Sequence, residues 1–167
     1  MPFHAVDRID AYEPGVSLQA RKLTSAREDY WRPSGDGLAM PAELVLESLL
    51  QAASWLVVLS TDAPRCGALP VSIERVSTHH RVVPGDVLSL KVRFDQFDEE
   101  TVVCSGQATV GDRAVFDLAA AILILTPLEL VVDPADLMRR LARMRRDPSA
   151  ERPGAAAGDR LSLLGPS

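Results

Sequence analysis

Between Leu44 and Leu59 the chain is apolar at nearly every position, broken only by Glu47, Ser48, Gln51 and Ser54. The length of the run fits a helix, and Pro41 stands where the first turn of a helix has no use for an N–H. A helix that is apolar on nearly every face leaves water no side to occupy, so it is expected to be a central helix, covered all round, running from Pro41 to about Leu59. The rest of the chain must wrap it. Glu47 is then the discordant residue, because a charge among Leu44, Val45, Leu46, Leu49 and Leu50 has to be neutralised, paired or put to use. Backbone N–H groups, or Gln51 on the same face, could satisfy it with no turnover at all.

The wrapping material reads as strands. Val16 to Leu23, Pro70 to Ser77, Val87 to Asp95, Thr101 to Val110 and Ala114 to Leu125 carry alternating or continuous apolar patterns. Pro84-Gly85-Asp86, Asp98-Glu99-Glu100 and Gly111-Asp112 punctuate them, and Gly111 marks a hairpin. Thr24 to Gly37 reads as a loop. One helix against a largely antiparallel sheet is the economical α+β arrangement. The strand near Val110 to Leu125 is expected at the sheet edge, buried in a dimer. Asp133-Pro134 opens a second, basic amphipathic helix over 133–146, whose Leu137, Met138, Leu141 and Met144 are expected to rest on the body or on a neighbouring subunit. Residues 147–167, rich in Pro, Ala, Gly and Ser, read as a flexible tail.

Several classes of function fall away. A formal net charge of −5, with no aromatic-basic alternation, gives no footing for nucleic acid. Polar residues interrupt the apolar stretches, so no membrane partner is expected. Cys66 and Cys104 are too few and too far apart for a disulfide scaffold or a CxxC site. Without a basic leader and apolar core at the N-terminus, the expected location is cytoplasmic. His4, His79 and His80 lie apart from any acid cluster and no phosphate-binding glycine loop is present, so neither metal nor cofactor is expected. His79 and His80 are adjacent on what reads as a strand and should point to opposite faces.

Three blocks of sequence carry a resemblance. Pro2-Phe3 with Val6-Asp7-Arg8-Ile9 and Glu13-Pro14-Gly15 form the first. Met40-Pro41 with Leu44, Leu46-Glu47 and Gln51-Ala52-Ala53 form the second, and Val82-Val83-Pro84-Gly85-Asp86 with Leu88 the third. In this order they resemble the hot-dog-fold (3R)-hydroxyacyl-acyl-carrier-protein dehydratases of bacterial fatty-acid synthesis. The resemblance implies a hot-dog domain over residues 1–130, with a long central helix wrapped by a curved antiparallel sheet, acting on fatty-acid or polyketide intermediates. It also implies a dimer and a substrate carried on phosphopantetheine, from acyl carrier protein or coenzyme A.

In that family a loop histidine and a helix acid form the catalytic pair, assembled across the dimer interface. The acid maps onto Glu47, and the histidine position is occupied by Pro33. The resemblance places the substrate channel or thioester site at Met40, Pro41, Ala42, Gln51 and Trp55, with Ala42 standing where the family has glycine. Water elimination needs a base for the α proton and an acid for the hydroxyl, and Pro33 can be neither. Three readings stand: a dehydratase-like subunit completed by a histidine-bearing partner in a heterodimer; a thioesterase using Glu47, assisted by Asp36 or Glu43; or a protein that binds acyl chains or carrier protein without turnover. A homodimer would place Pro33 at both sites.

Overall fold

A computed structural model describes residues 4–61, 66–130 and 132–145. Pro2, Phe3, Arg146 and the segment 147–167 lie outside the described residues. The long helix α1 spans Ala42–Leu59, with Pro41 as its N-cap. Around it, β1 (Arg8–Glu13), β2 (Ser17–Leu23), β5 (Cys66–Thr78), β6 (Val87–Phe97), β7 (Thr101–Val110) and β8 (Arg113–Pro127) form one antiparallel sheet. Its strand order is β1-β2-β6-β7-β8-β5. This is the α+β hot-dog arrangement that the sequence implied.

The sheet holds α1 because alternating side chains of its strands converge on the helix. Leu18 and Ala20 of β2, Leu88, Leu90 and Val92 of β6, and Val102, Cys104 and Ala108 of β7 are all buried in the core with Leu49, Ala52, Ala53, Leu56 and Val57 of α1. Leu49 packs against the sheet at Gly106. A Cβ there would lie 3.1 Å from the Lys91 carbonyl oxygen and 3.2 Å from Leu49 Cδ2, so glycine lets the helix side chain sit against the backbone of the sheet. Ser48 is fully buried as well, and its hydroxyl donates to the Leu44 carbonyl at 2.9 Å. By length and composition α1 would also pass for a membrane span, but 56% of that stretch is buried inside the fold, as expected of a core helix.

Three expectations need correction. The helix is not covered all round: Glu47, Gln51 and Ser54, spaced four and three residues apart, form one half-buried stripe. The cause is that the sheet is open, with two edges, and encloses α1 from one side. Second, β8 is not at the edge, since it pairs with β7 on one flank and β5 on the other. The long edge strand is β5, which carries Leu69, Val71, Ile73 and Val76 exposed, Val71 at 56%. Third, residues 24–37 are not simply a loop. They contain most of a small hairpin, β3 (Arg32–Ser34) and β4 (Gly37–Ala39), turning at Gly35 with φ 63°. Three-residue strands are too short to leave a periodic pattern, and in the six-residue β1 the alternation is broken where its pairing with β2 slips between Ile9 and Ala11.

Helix α2 (Pro134–Arg145) follows a 3-10 turn at Leu128–Leu130 and buries Leu137, Leu141 and Met144 against the body, while Met138 stays exposed. Its last turn is tied to β1: Arg145 Nη2 donates to the Tyr12 hydroxyl at 3.1 Å, and the guanidinium carbon lies 5.4 Å from the Tyr12 ring centre. Because Leu49 is fully buried against the sheet at Gly106, Leu49→Ala is expected to destabilise the fold by about 2–5 kcal/mol in urea denaturation. A loss under about 1 kcal/mol would show that the helix does not depend on this contact.

Candidate functional site

Glu47 stands on the uncovered stripe of α1, and its Oε1 accepts a hydrogen bond from Gln51 Nε2 at 2.8 Å. The Gln51 amide is engaged at both ends, because its Oε1 accepts from the backbone N–H of Ala5 at 3.3 Å. One glutamine thus orients the carboxylate and pins the segment that leads into β1. Beside it opens a cavity of about 580 Å³. Its walls include Gln51, Ser54 and Trp55 of α1, His4 from the N-terminal segment, and Asp136 and Arg140 of α2. The Arg140 guanidinium lies 5.7 Å from the Trp55 ring centre.

The hairpin is a separate place. Pro33 is exposed on β3 and lines a cavity of about 530 Å³ with Met40, Pro41 and Glu43. This cavity and the Gln51 cavity share no lining residue, and Glu47 lines neither. Asp36 lies in the hairpin turn with its side chain 99% exposed, 3.8 Å from Arg81 Nη2. The Arg81 guanidinium also donates to the Ser34 carbonyl. Glu43 is exposed in the first turn of α1. Met40 is buried and donates its N–H to the Val82 carbonyl at 2.9 Å, which anchors the start of the helix.

His79 and His80 do not behave as adjacent strand residues, because β5 ends at Thr78. Both line a third cavity of about 270 Å³, together with Met40 and Ala42. His79 Nε2 lies 2.6 Å from Asp117 Oδ2, and Asp117 Oδ1 accepts from Gln107 Nε2 at 2.9 Å. The hydrogen bond from His79 is the main cause holding the Asp117 carboxyl below its ordinary range. His80 Nδ1 lies 2.8 Å from the Ala114 carbonyl oxygen, which can only accept, so this nitrogen carries the proton. Cys104 is a buried core residue, its thiol pushed up to about 12 chiefly by that burial, which leaves it no nucleophilic role. Among the described residues, no group of three or more His, Cys, Asp or Glu could hold a metal ion.

His4 lines the Gln51 cavity, and the segment that carries it is joined to α1 by the hydrogen bond from the Ala5 amide to Gln51, across 46 residues of chain.

No family-level sequence profile matches the chain. It is 34% identical over 115 residues to the 3-hydroxyacyl-[acyl-carrier-protein] dehydratase FabZ of Pediococcus pentosaceus, covering 68% of this chain and 77% of that protein. In structure it is similar to a Streptococcus mutans protein solved with acetyl-CoA, with a TM-score of 0.57 at 15% identity over 72% of this chain and 88% of the other. It is likewise similar to the fluoroacetyl-CoA thioesterase FlK, with a TM-score of 0.58 at 12% identity over 78% and 98% of the two chains. At these identities the structural likeness is one of fold.

Two consequences of this geometry can be measured. Gln51→Ala removes both hydrogen bonds and is expected to cost about 0.5–1.5 kcal/mol for each, with faster amide exchange at Ala5. Unchanged exchange at Ala5 would show that the glutamine does not hold the segment. His79→Ala is expected to raise the Asp117 pKa, read from carboxyl-carbon NMR. The sign follows from the depressed folded value: the stabilisation is present above the unfolded carboxylate pKa and is lost as pH falls through the folded one. An Asp117 titration that ignores the substitution would rule out the pair.

Proposed function

This chain belongs to the family of FabZ-type 3-hydroxyacyl-[acyl-carrier-protein] dehydratases within the hot-dog fold, and from that premise we propose that it binds acyl thioesters of phosphopantetheine and hydrolyses them with Glu47. The carrier is acyl carrier protein or coenzyme A. The acyl part lies in the cavity that begins at Gln51 and runs past Ser54 and Trp55. Met40, Pro41 and Ala42 at the start of α1 are the other residues proposed to meet the thioester arm. The observation that carries the reading is a single oriented carboxylate, Glu47 held by Gln51, in a fold whose hairpin offers Pro33 in place of histidine.

Leaving groups decide between the two reactions. Eliminating water expels a hydroxyl, whose conjugate acid has a pKa of about 15.7, so it must be protonated as it departs. Hydrolysis of a thioester expels a thiolate, whose conjugate acid lies near 8.5, and this needs no donor. A carboxylate alone suffices there: Glu47 takes a proton from water, the water oxygen bonds to the thioester carbon, and the carbon–sulfur bond breaks. The sulfur departs as thiolate and is protonated from solvent. The similarity of fold to the fluoroacetyl-CoA thioesterase FlK is compatible with this chemistry.

A second reading has its own observation. The β5 edge exposes Leu69, Val71, Ile73 and Val76, a surface that fits a partner strand. A histidine-bearing hot-dog subunit docked there would make a dehydratase heterodimer; a second copy of this chain would make a homodimer with Pro33 at both sites.

The isolated protein should release free thiol from acyl-CoA or acyl-carrier-protein thioesters that lack a 3-hydroxyl, and Glu47→Gln should slow that release by roughly 10²–10⁴-fold. Thiol release that persists in Glu47→Gln would remove the carboxylate from the mechanism. Binding without release across several chain lengths would leave a non-catalytic acyl-binding protein. The enoyl product appearing only on addition of a histidine-bearing subunit would favour the heterodimer.

A further inference from the structure

The cavity beside Gln51 has two kinds of wall. Trp55, Val58, Ala68, Leu128 and Leu137 give it an apolar lining suited to methylene groups, while its charged groups apart from His4 all come from the C-terminal segment: Asp133, Asp136 and Arg140. The two carboxylates already have partners. Asp133 accepts from the Ala135 amide at 3.0 Å, at the N-terminal end of α2 where a negative charge is favoured, and Asp136 pairs with Arg139 at 3.4 Å. Arg140 is different. Asp136 stands four residues before it, a spacing that commonly makes an ion pair, yet among the described residues Arg140 makes no hydrogen bond or ion pair. Its guanidinium carbon lies instead 5.7 Å from the ring centre of the buried Trp55. The other arginines of α2 do not line the cavity: Arg139 pairs with Asp136, Arg143 is exposed, and Arg145 donates to Tyr12. Arg140 is thus a half-buried guanidinium stacked on an aromatic face, with its N–H donors left for a planar anion.

We propose that Arg140 makes this chain selective for acyl thioesters whose far end carries a carboxylate, the guanidinium receiving that group while the methylenes before it lie against Trp55, Val58 and Leu137. The proposal rests on the reading that acyl thioesters bind with the acyl part in this cavity, and it names which ones. A carboxylate accepts two parallel N–H bonds from the guanidinium fork. A methyl in the same place leaves a desolvated charge unpaired, so a site of this kind discriminates against the plain fatty acyl group. The helix sets the length. Gln51, which holds Glu47, and Trp55, on which Arg140 stacks, stand one turn apart on α1, about 6 Å along its axis. A short diacid spans that distance, and a long chain does not fit between the two. Arg140 takes no part in bond making; it is a specificity residue, supplied by a helix that follows the last strand of the sheet.

The test compares adipyl-CoA with hexanoyl-CoA, whose acyl groups are equal in length and end in a carboxylate or a methyl. Both have the same carrier phosphates, so the ratio of their dissociation constants, measured by calorimetry on the full chain, isolates the acyl end. Adipyl-CoA is expected to bind roughly 10–100-fold tighter, and Arg140→Gln to bring the ratio close to one, with Arg140→Lys between the two. A ratio close to one in the unsubstituted protein overturns the proposal with no variant needed, as does a preference for adipyl-CoA that survives Arg140→Gln. Equal weakening of both ligands by Arg140→Gln assigns the guanidinium to the carrier phosphates and overturns it too. Thiol release from the same two thioesters separates this proposal from the hydrolytic reading. Preferential binding of adipyl-CoA without release leaves the selectivity standing and removes hydrolysis, whereas release from both at equal kcat/KM with equal binding removes the selectivity and leaves hydrolysis. Failure of either thioester to bind overturns both.

Discussion

The fold depends on how closely α1 can approach the sheet. Leu49 meets the backbone at Gly106, and around that contact Leu18, Leu88, Leu90, Val102 and Ala108 close over Ala52, Ala53 and Leu56. Dispersion and hydrophobic burial at this density hold a helix too apolar to face water. The same contact fixes the rotation of α1. With the Leu49 face turned to the sheet, Glu47 and Gln51 are turned away from it, while Ser54 reaches the edge strand β5, its hydroxyl donating to the Ala68 carbonyl at 3.4 Å. The position of the carboxylate is therefore a by-product of core packing.

Much of this was legible in the chain because long periodic segments report their burial directly. The helix boundaries, β6, β7 and β8 follow from apolar spacing alone, and Gly111 marked the β7–β8 turn. What escaped were features set by tertiary partners. The β3–β4 hairpin is held by Arg81, 47 residues from Ser34. Which strand forms the edge depends on crossover order: β5 precedes β6 in sequence yet lies beyond β8. No local pattern encodes that, although the exposed Val71 and Ile73 record it once the order is known.

The candidate site divides along the same line. Glu47 was conspicuous because a carboxylate in an apolar run violates burial statistics, and Gln51 sat at the spacing that lets it reach back. His4 had no such signature. Its place at the Gln51 cavity accompanies a hydrogen bond from the neighbouring Ala5 amide to the Gln51 side chain, a pairing that exists only in the folded molecule. The assignment of Pro33 to the family's histidine position, by contrast, rests on the sequence resemblance alone. The structure adds that the hairpin cavity and the Gln51 cavity are lined by different residues.

The cavity beside Gln51 is also a matter of timing. One wall comes from residue 4 and another from residues 128–140, with the helix between them. A ribosome must have made Arg140 before the space can be enclosed, although α1 and its carboxylate emerge long before. During synthesis the half-built chain would expose an apolar trough along Trp55 and Val58, the kind of surface that attracts chaperones or other nascent chains. Helix α2 is therefore a closing piece of assembly, covering an apolar surface that would stand exposed before it is made.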